Sequence, residues 1–186
     1  MCTIFITHPT PDGSNLTITS ELGRILRIAE ERYGTREQSY TILGVHFTQN
    51  KVPNIWYPPS GKHIIIQITM DCMHEMNRAV WQVAHEVIHC LSPVELGEAS
   101  VLEEGLATLF AIEYTRENGN GFWESDDQRY TEASELVKQL ISIDSDIIIK
   151  LRKIQPTISL IGKDLIMQTN SNVPEELANN LTKYFK

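Results

Sequence analysis

Two histidines, His85 and His89, stand four residues apart in the run His85-Glu86-Val87-Ile88-His89, with an acid directly after the first. In an α-helix of 3.6 residues per turn, positions i and i+4 share a face, so two imidazoles can reach one metal ion. Imidazole is a common zinc ligand, and the carboxylate of Glu86 can take a proton from a water molecule beside the ion. The chemistry implied is metal-assisted hydrolysis. Five residues make a short pattern, so the surrounding chain must carry the case.

The run lies in a segment of helical period. Met76, Val80, Val83, Ala84, Val87, Ile88 and Leu91 form a stripe too wide for a surface helix, which predicts a central, mostly buried helix from Asp71, its capping residue, to Ser92-Pro93. Polar groups on such a helix must be hydrogen-bonded or metallated. A catalytic zinc takes three protein ligands and keeps a fourth position open, so one ligand is missing. The next helix, at about 98 to 114, offers Leu102-Glu103-Glu104-Gly105-Leu106-Ala107-Thr108. With Glu104 toward the metal, Ala107, Thr108 and Ala111 fall on its face, small enough to pack closely beneath the first helix. Glu103 is the neighbouring alternative. Glu95 follows His89 by six residues, a spacing other zinc sites use, but Ser92 and Pro93 stand where that pattern needs a glycine turn. Cys90 is about 100° of helix rotation from His89 and reads as a small buried hydrophobe. His8, His46, His63 and His74 have no mutual spacing that makes a site.

This stretch resembles the gluzincin group of zinc metallopeptidases, in which one helix carries HExxH and the next a glutamate ligand within an N-E-G-x-A type run. Glu104-Gly105-Leu106-Ala107 matches the E-G-x-A part, and the resemblance covers about residues 62 to 115. It implies one Zn2+ on His85, His89 and Glu104, Glu86 as general base, and a peptide or protein substrate; a compact chain without an evident anchor for a terminal amine favours internal cleavage. Members commonly add a His or Tyr that stabilises the oxyanion. Tyr130 is the expected residue here, with Tyr114 as the second candidate. The chain departs from the group at Thr108, where an acidic partner of a ligand histidine is often found, and at Glu103, where asparagine is frequent. The short interval from His89 to Glu104 implies a compact version of these enzymes. The strand at 62 to 69 sits where they place the sheet edge that takes extended substrate. Peptidases of the ImmA/IrrE type, which cleave a specific partner protein, are the alternative. They too follow HExxH with a glutamate, but Gly105 replaces their alanine-asparagine run and no helix-turn-helix is evident. A non-catalytic, zinc-containing interaction protein is the third reading, and Glu86 argues against it, since a structural site has no use for that carboxylate.

The elements needed to position these residues read as strands first and helices later, an α+β order. The expected architecture is zincin-like: a small N-terminal mixed sheet, the active-site helix, then a mostly helical C-terminal part. Residues 1–70 form the strand-rich portion and 71–186 the helical one, within one compact domain with a cleft between them. Strands are expected at Thr3–Thr7, Thr41–Phe47 and Lys62–Thr69, and a helix from Ser20 to Gly34 with Leu22, Ile25, Leu26 and Ala29 inward. Between 48 and 62, Pro53, Pro58, Pro59 and Gly61 predict a loop long enough to lie over the cleft. Later helices are expected at 125–143, where Ser125 and Gln128 resemble a capping box, and at 146–155, 158–168 and 174–184.

Composition sets the outer bounds. With 186 residues, 41% apolar and 22% charged, the chain can bury a core without staples. A net charge of -8 disfavours nucleic acid or an anionic membrane as partner. The basic run Lys150-Leu151-Arg152-Lys153 reads as a solvated helix face. Three cysteines make no disulfide scaffold. Cys72 and Cys90, placed on one helix, would lie about 27 Å apart, beyond disulfide reach. With no leader pattern and no apolar run of membrane-span length, the expectation is a cytoplasmic protein.

Overall fold

The structure, a computed structural model, describes residues 18–59, 61–94, 98–118, 123 and 125–186. The expected strand at Thr3–Thr7 lies outside them. The fold is α+β: helix α1 (Ile18–Tyr33), strands β1 (Thr41–Thr48), β2 (Asn54–Trp56) and β3 (His63–Thr69), then helices α2 (Met76–His89), α3 (Val101–Glu117), α4 (Gln128–Ile143), α5 (Ile147–Ile154), α6 (Lys163–Thr169) and α7 (Glu175–Leu181). Among the described residues no helix is long and apolar enough to cross a membrane.

The three strands form a mixed sheet in the order β1-β3-β2, with β1 parallel and β2 antiparallel to β3. Alternation in β3 sends Ile64, Ile66 and Ile68 into the core, each fully buried. Leu43 is skipped in the register between Ile42 and Gly44, a bulge that leaves its side chain in solvent. The expectation that β3 is a substrate-binding edge is corrected: it is paired on both sides. The edge beside the site is β2, a short strand inside what the prolines at 53, 58 and 59 made look like an unbroken loop.

Helix α2 is central as its wide apolar stripe requires, and every residue from Ala79 to Ile88 is buried. It starts later than Asp71, however, because the chain first makes a 3-10 turn at Met70–Met73. Gln82 of α2 explains the turn. Its Oε1 accepts from the Thr69 backbone N–H at 2.9 Å and from Cys72 Sγ at 3.1 Å, while its Nε2 donates to Thr69 Oγ1 at 3.0 Å. These bonds fold residues 69–72 back onto the helix and pair Asp71 with Arg78 rather than with the helix N-terminus. Cys72 and Cys90 are therefore not on one helix; both are free and buried.

Ser100 caps α3 by accepting from the Glu103 N–H. On α3, Ala107, Thr108 and Ala111 are buried as expected. Gly105 has a different neighbour, since a Cβ there would lie 2.4 Å from Ala133 O and 2.8 Å from Val137 Cγ2. The missing side chain thus admits α4. Asp127, not Ser125, caps α4 by accepting from the Arg129 N–H; Ser125 Oγ instead accepts from Asp127 N–H. The helix expected over 158–168 is a 3-10 turn at Ile158–Leu160 followed, after Gly162, by α6.

The basic run at 150–153 is also more than a solvated face. Arg152 is 7% exposed, and its guanidinium donates to the carbonyls of Tyr33, Gly34, Thr35, Leu91 and Pro156. Only a five-donor planar fork can serve so many acceptors. It ties the ends of α1, α2 and α5 together.

Candidate metal centre

On α2, one turn separates His85 from His89, and their rings lie 5.3 Å apart. From α3, Glu104 reaches between them: Oε2 is 3.2 Å from His85 Nε2, and Oε1 is 3.6 Å from His89 Nε2. One ligand atom from each of the three residues fits within 4.8 Å of the others, the compactness a single metal ion requires. Two imidazole nitrogens and a carboxylate are the donor chemistry zinc takes in open, three-ligand sites, so the residues fit the ion.

The electrostatics show the same convergence. Burial alone would lower the His89 pKa, but Glu104 and Glu103 overcome it and hold the imidazole at about 10. Burial would raise Glu104, yet His89 and His85 bring it down to about 2. Protonated His89 beside ionised Glu104 is a cation held where a metal ion would otherwise balance the carboxylate.

Glu103 supplies what sequence reading did not assign. Its Oε1 accepts from His89 Nδ1 at 2.9 Å, and its Oε2 accepts from Ser159 Oγ. A carboxylate on Nδ1–H fixes the tautomer and turns Nε2 toward the ligand position. Glu103 therefore stands behind a ligand rather than beside the ion as a rival for it. At His85 the arrangement differs: its Nδ1 and the Thr108 Oγ1 are both buried with no hydrogen-bond partner among the described residues. Threonine in the place of an acid thus leaves His85 without a carboxylate behind it. Instead its ring is stacked on Trp81 at 5.3 Å, and Trp81 meets Trp123 at 4.6 Å. Trp81 precedes His85 by four residues, a same-face spacing that sequence reading could have used.

The centre opens onto a cleft of about 580 Å3 lined by β2, α2, the start of α3 and the start of α4. Glu86 lines it although only 3% exposed, and burial pushes its pKa up, with His89 and His85 pulling back down. Tyr130 also lines it, its ring edge-on to His85 at 5.7 Å. Burial, then the Glu104 and Glu86 carboxylates, push the Tyr130 phenol up to about 12, so it keeps its proton and can donate. Tyr114, the other candidate, is far from this role, being fully buried with its hydroxyl donating to Glu21 of α1. Cys90 is buried at the C-terminal cap of α2. His46 and His74 are exposed, and neither they nor His63 join the metal-binding group. Glu95 and His8 lie outside the described residues.

In comparisons with family models, curated proteins and solved structures, nothing matches the chain. What the site can do therefore rests on its own geometry: a buried His85/His89/Glu104 group that fits an HExxH-plus-Glu metal site.

Proposed function

We propose that the chain is a zinc-dependent metallopeptidase of gluzincin type, cleaving peptide bonds within a polypeptide. The single observation that carries this reading is that Glu86 opens onto the same cleft as three converging metal-binding side chains. A zinc ion bound there lowers the pKa of a water molecule toward neutrality and polarises a carbonyl. The rest belongs to this chain. Glu86 accepts a proton from the water as its oxygen bonds to the scissile carbonyl carbon, then delivers that proton to the leaving nitrogen as the C–N bond breaks. Its raised pKa suits both halves of the transfer. Tyr130 donates its O–H to the oxygen on which negative charge develops. Glu103 keeps His89 in one tautomer throughout.

Substrate in extended form adds to the sheet edge of β2, whose Asn54 and Ile55 line the cleft together with the preceding Pro53. The test is cleavage of a peptide library by zinc-loaded protein and by Glu86→Gln. The variant should hold zinc as wild type does and lose at least about a hundredfold in kcat, the scale of a lost general base. Full zinc occupancy with no cleavage by wild type would favour the non-catalytic zinc protein instead.

A further inference from the structure

The last residues of the chain reach the site from outside the helices that build it. Lys183 O accepts from the Val101 N–H and Phe185 N–H donates to Ala99 O, each at 2.9 Å, around a bridge between Ser100 and Tyr184. The segment is thus strapped across Ala99, Ser100 and Val101 at the start of α3, two to five positions ahead of Glu103 and Glu104. This docking puts the Phe185 ring 4.8 Å from the Tyr130 ring, on an interplanar angle of 48°. Tyr130 also meets His85, edge-on at 5.7 Å. The guanidinium of Arg129 lies over the Phe185 ring at 5.8 Å and is itself held by Asp127, the cap of α4.

We propose that Lys183–Phe185 is a positioning strap for Tyr130, with Phe185 as the residue that acts. Tyr130 occupies the first turn of α4, where its N–H closes only a 3-10-type bond to Asp127 O at 3.1 Å, and helix ends are the parts most prone to fray. A phenol that donates to a developing charge must be held in place, because a displacement of about 1 Å costs up to about a hundredfold in rate. The Tyr130 ring is thus in contact with two aromatic rings, Phe185 at 4.8 Å and His85 at 5.7 Å, and each limits its freedom. The strap also joins the tyrosine to the start of the ligand-bearing helix, so that one short segment registers α4 against α3. The proposal rests on the peptidase reading of Tyr130.

A double-mutant cycle separates positioning from general support. Phe185→Ala should lower kcat about tenfold with KM and bound zinc unchanged, Phe185→Tyr should restore it, and Ile154→Ala, at an exposed position on α5 away from the strap, should change nothing. In a Tyr130→Phe background Phe185→Ala should cost no more. In protein labelled with 3-fluorotyrosine, Phe185→Ala should move the fluorine resonance of Tyr130, assigned by its loss in Tyr130→Phe, and leave those of Tyr33 and Tyr114 in place. An equal loss of kcat in both backgrounds, or an unmoved Tyr130 resonance, overturns the proposal. If zinc-loaded wild type cleaves nothing, the peptidase reading and the catalytic half of the proposal both fall, while the fluorine signal still decides whether Phe185 positions Tyr130.

Discussion

At the scale of residues, the candidate metal centre would set protons and a cation in competition for the same three side chains. Metal binding needs a neutral His89, yet Glu104 and Glu103 raise that imidazole to about 10 in the metal-free protein. Near neutral pH the group is therefore protonated, and each zinc ion taken up must displace a proton. The sign follows: apparent zinc affinity should rise with pH, by about tenfold per unit through pH 7 to 9, and level off as pH passes the His89 value. Competition titrations against a chelator of known affinity at several pH values check this, with proton release in weakly buffered solution as a second readout. A flat profile would mean that His89 is neutral without metal. The convergence of His85 and His89 was legible in sequence because i, i+4 spacing is a local property. The role of Glu103 was not, since its other partner, Ser159, is 56 residues away and only folding brings the two together.

At the scale of elements, the site depends on how closely three helices approach. Helix α3 packs against both α2 and α4; Ala107, Thr108 and Ala111 are buried on it, and Gly105 admits the α4 backbone at Ala133. Gly105→Ala should be destabilising by about 1 to 3 kcal/mol, because its Cβ meets main-chain atoms of Ala133 that cannot rotate away. Denaturant midpoints measure this, and an unchanged midpoint would show that α4 yields easily. The helix pattern of the sequence was readable since amphipathic periods are strong over long helices. Helix starts were less so: Asp71 and Ser125 are good capping residues, but Arg78 and the nearer Asp127 redirect them. Strand order was invisible, because β3 gains its central place from pairing with β1 and β2 across turns that no local signal ranks.

At the scale of the whole molecule, the expectation of a strand-rich part at 1–70 and a helical part at 71–186 becomes a proposal of one cooperative unit. Arg152 is its clearest support, joining carbonyls at the ends of α1, α2 and α5. Arg152→Leu should lower stability by roughly 3 to 5 kcal/mol, since buried carbonyls lose their donors, and Arg152→Lys should recover only part of it. Unfolding by fluorescence and by circular dichroism should stay coincident in wild type. Such a hub is hard to see in sequence, where a short basic run on a helix looks like a solvated surface.

Whether His85, His89 and Glu104 hold one metal ion is measured most directly by a zinc titration of wild type beside Glu104→Ala. Wild type should take up one zinc per chain, and Glu104→Ala should lose at least about a hundredfold in affinity while remaining folded. Wild-type affinity and stoichiometry in Glu104→Ala would contradict the assignment of the third ligand, and with it the site described above.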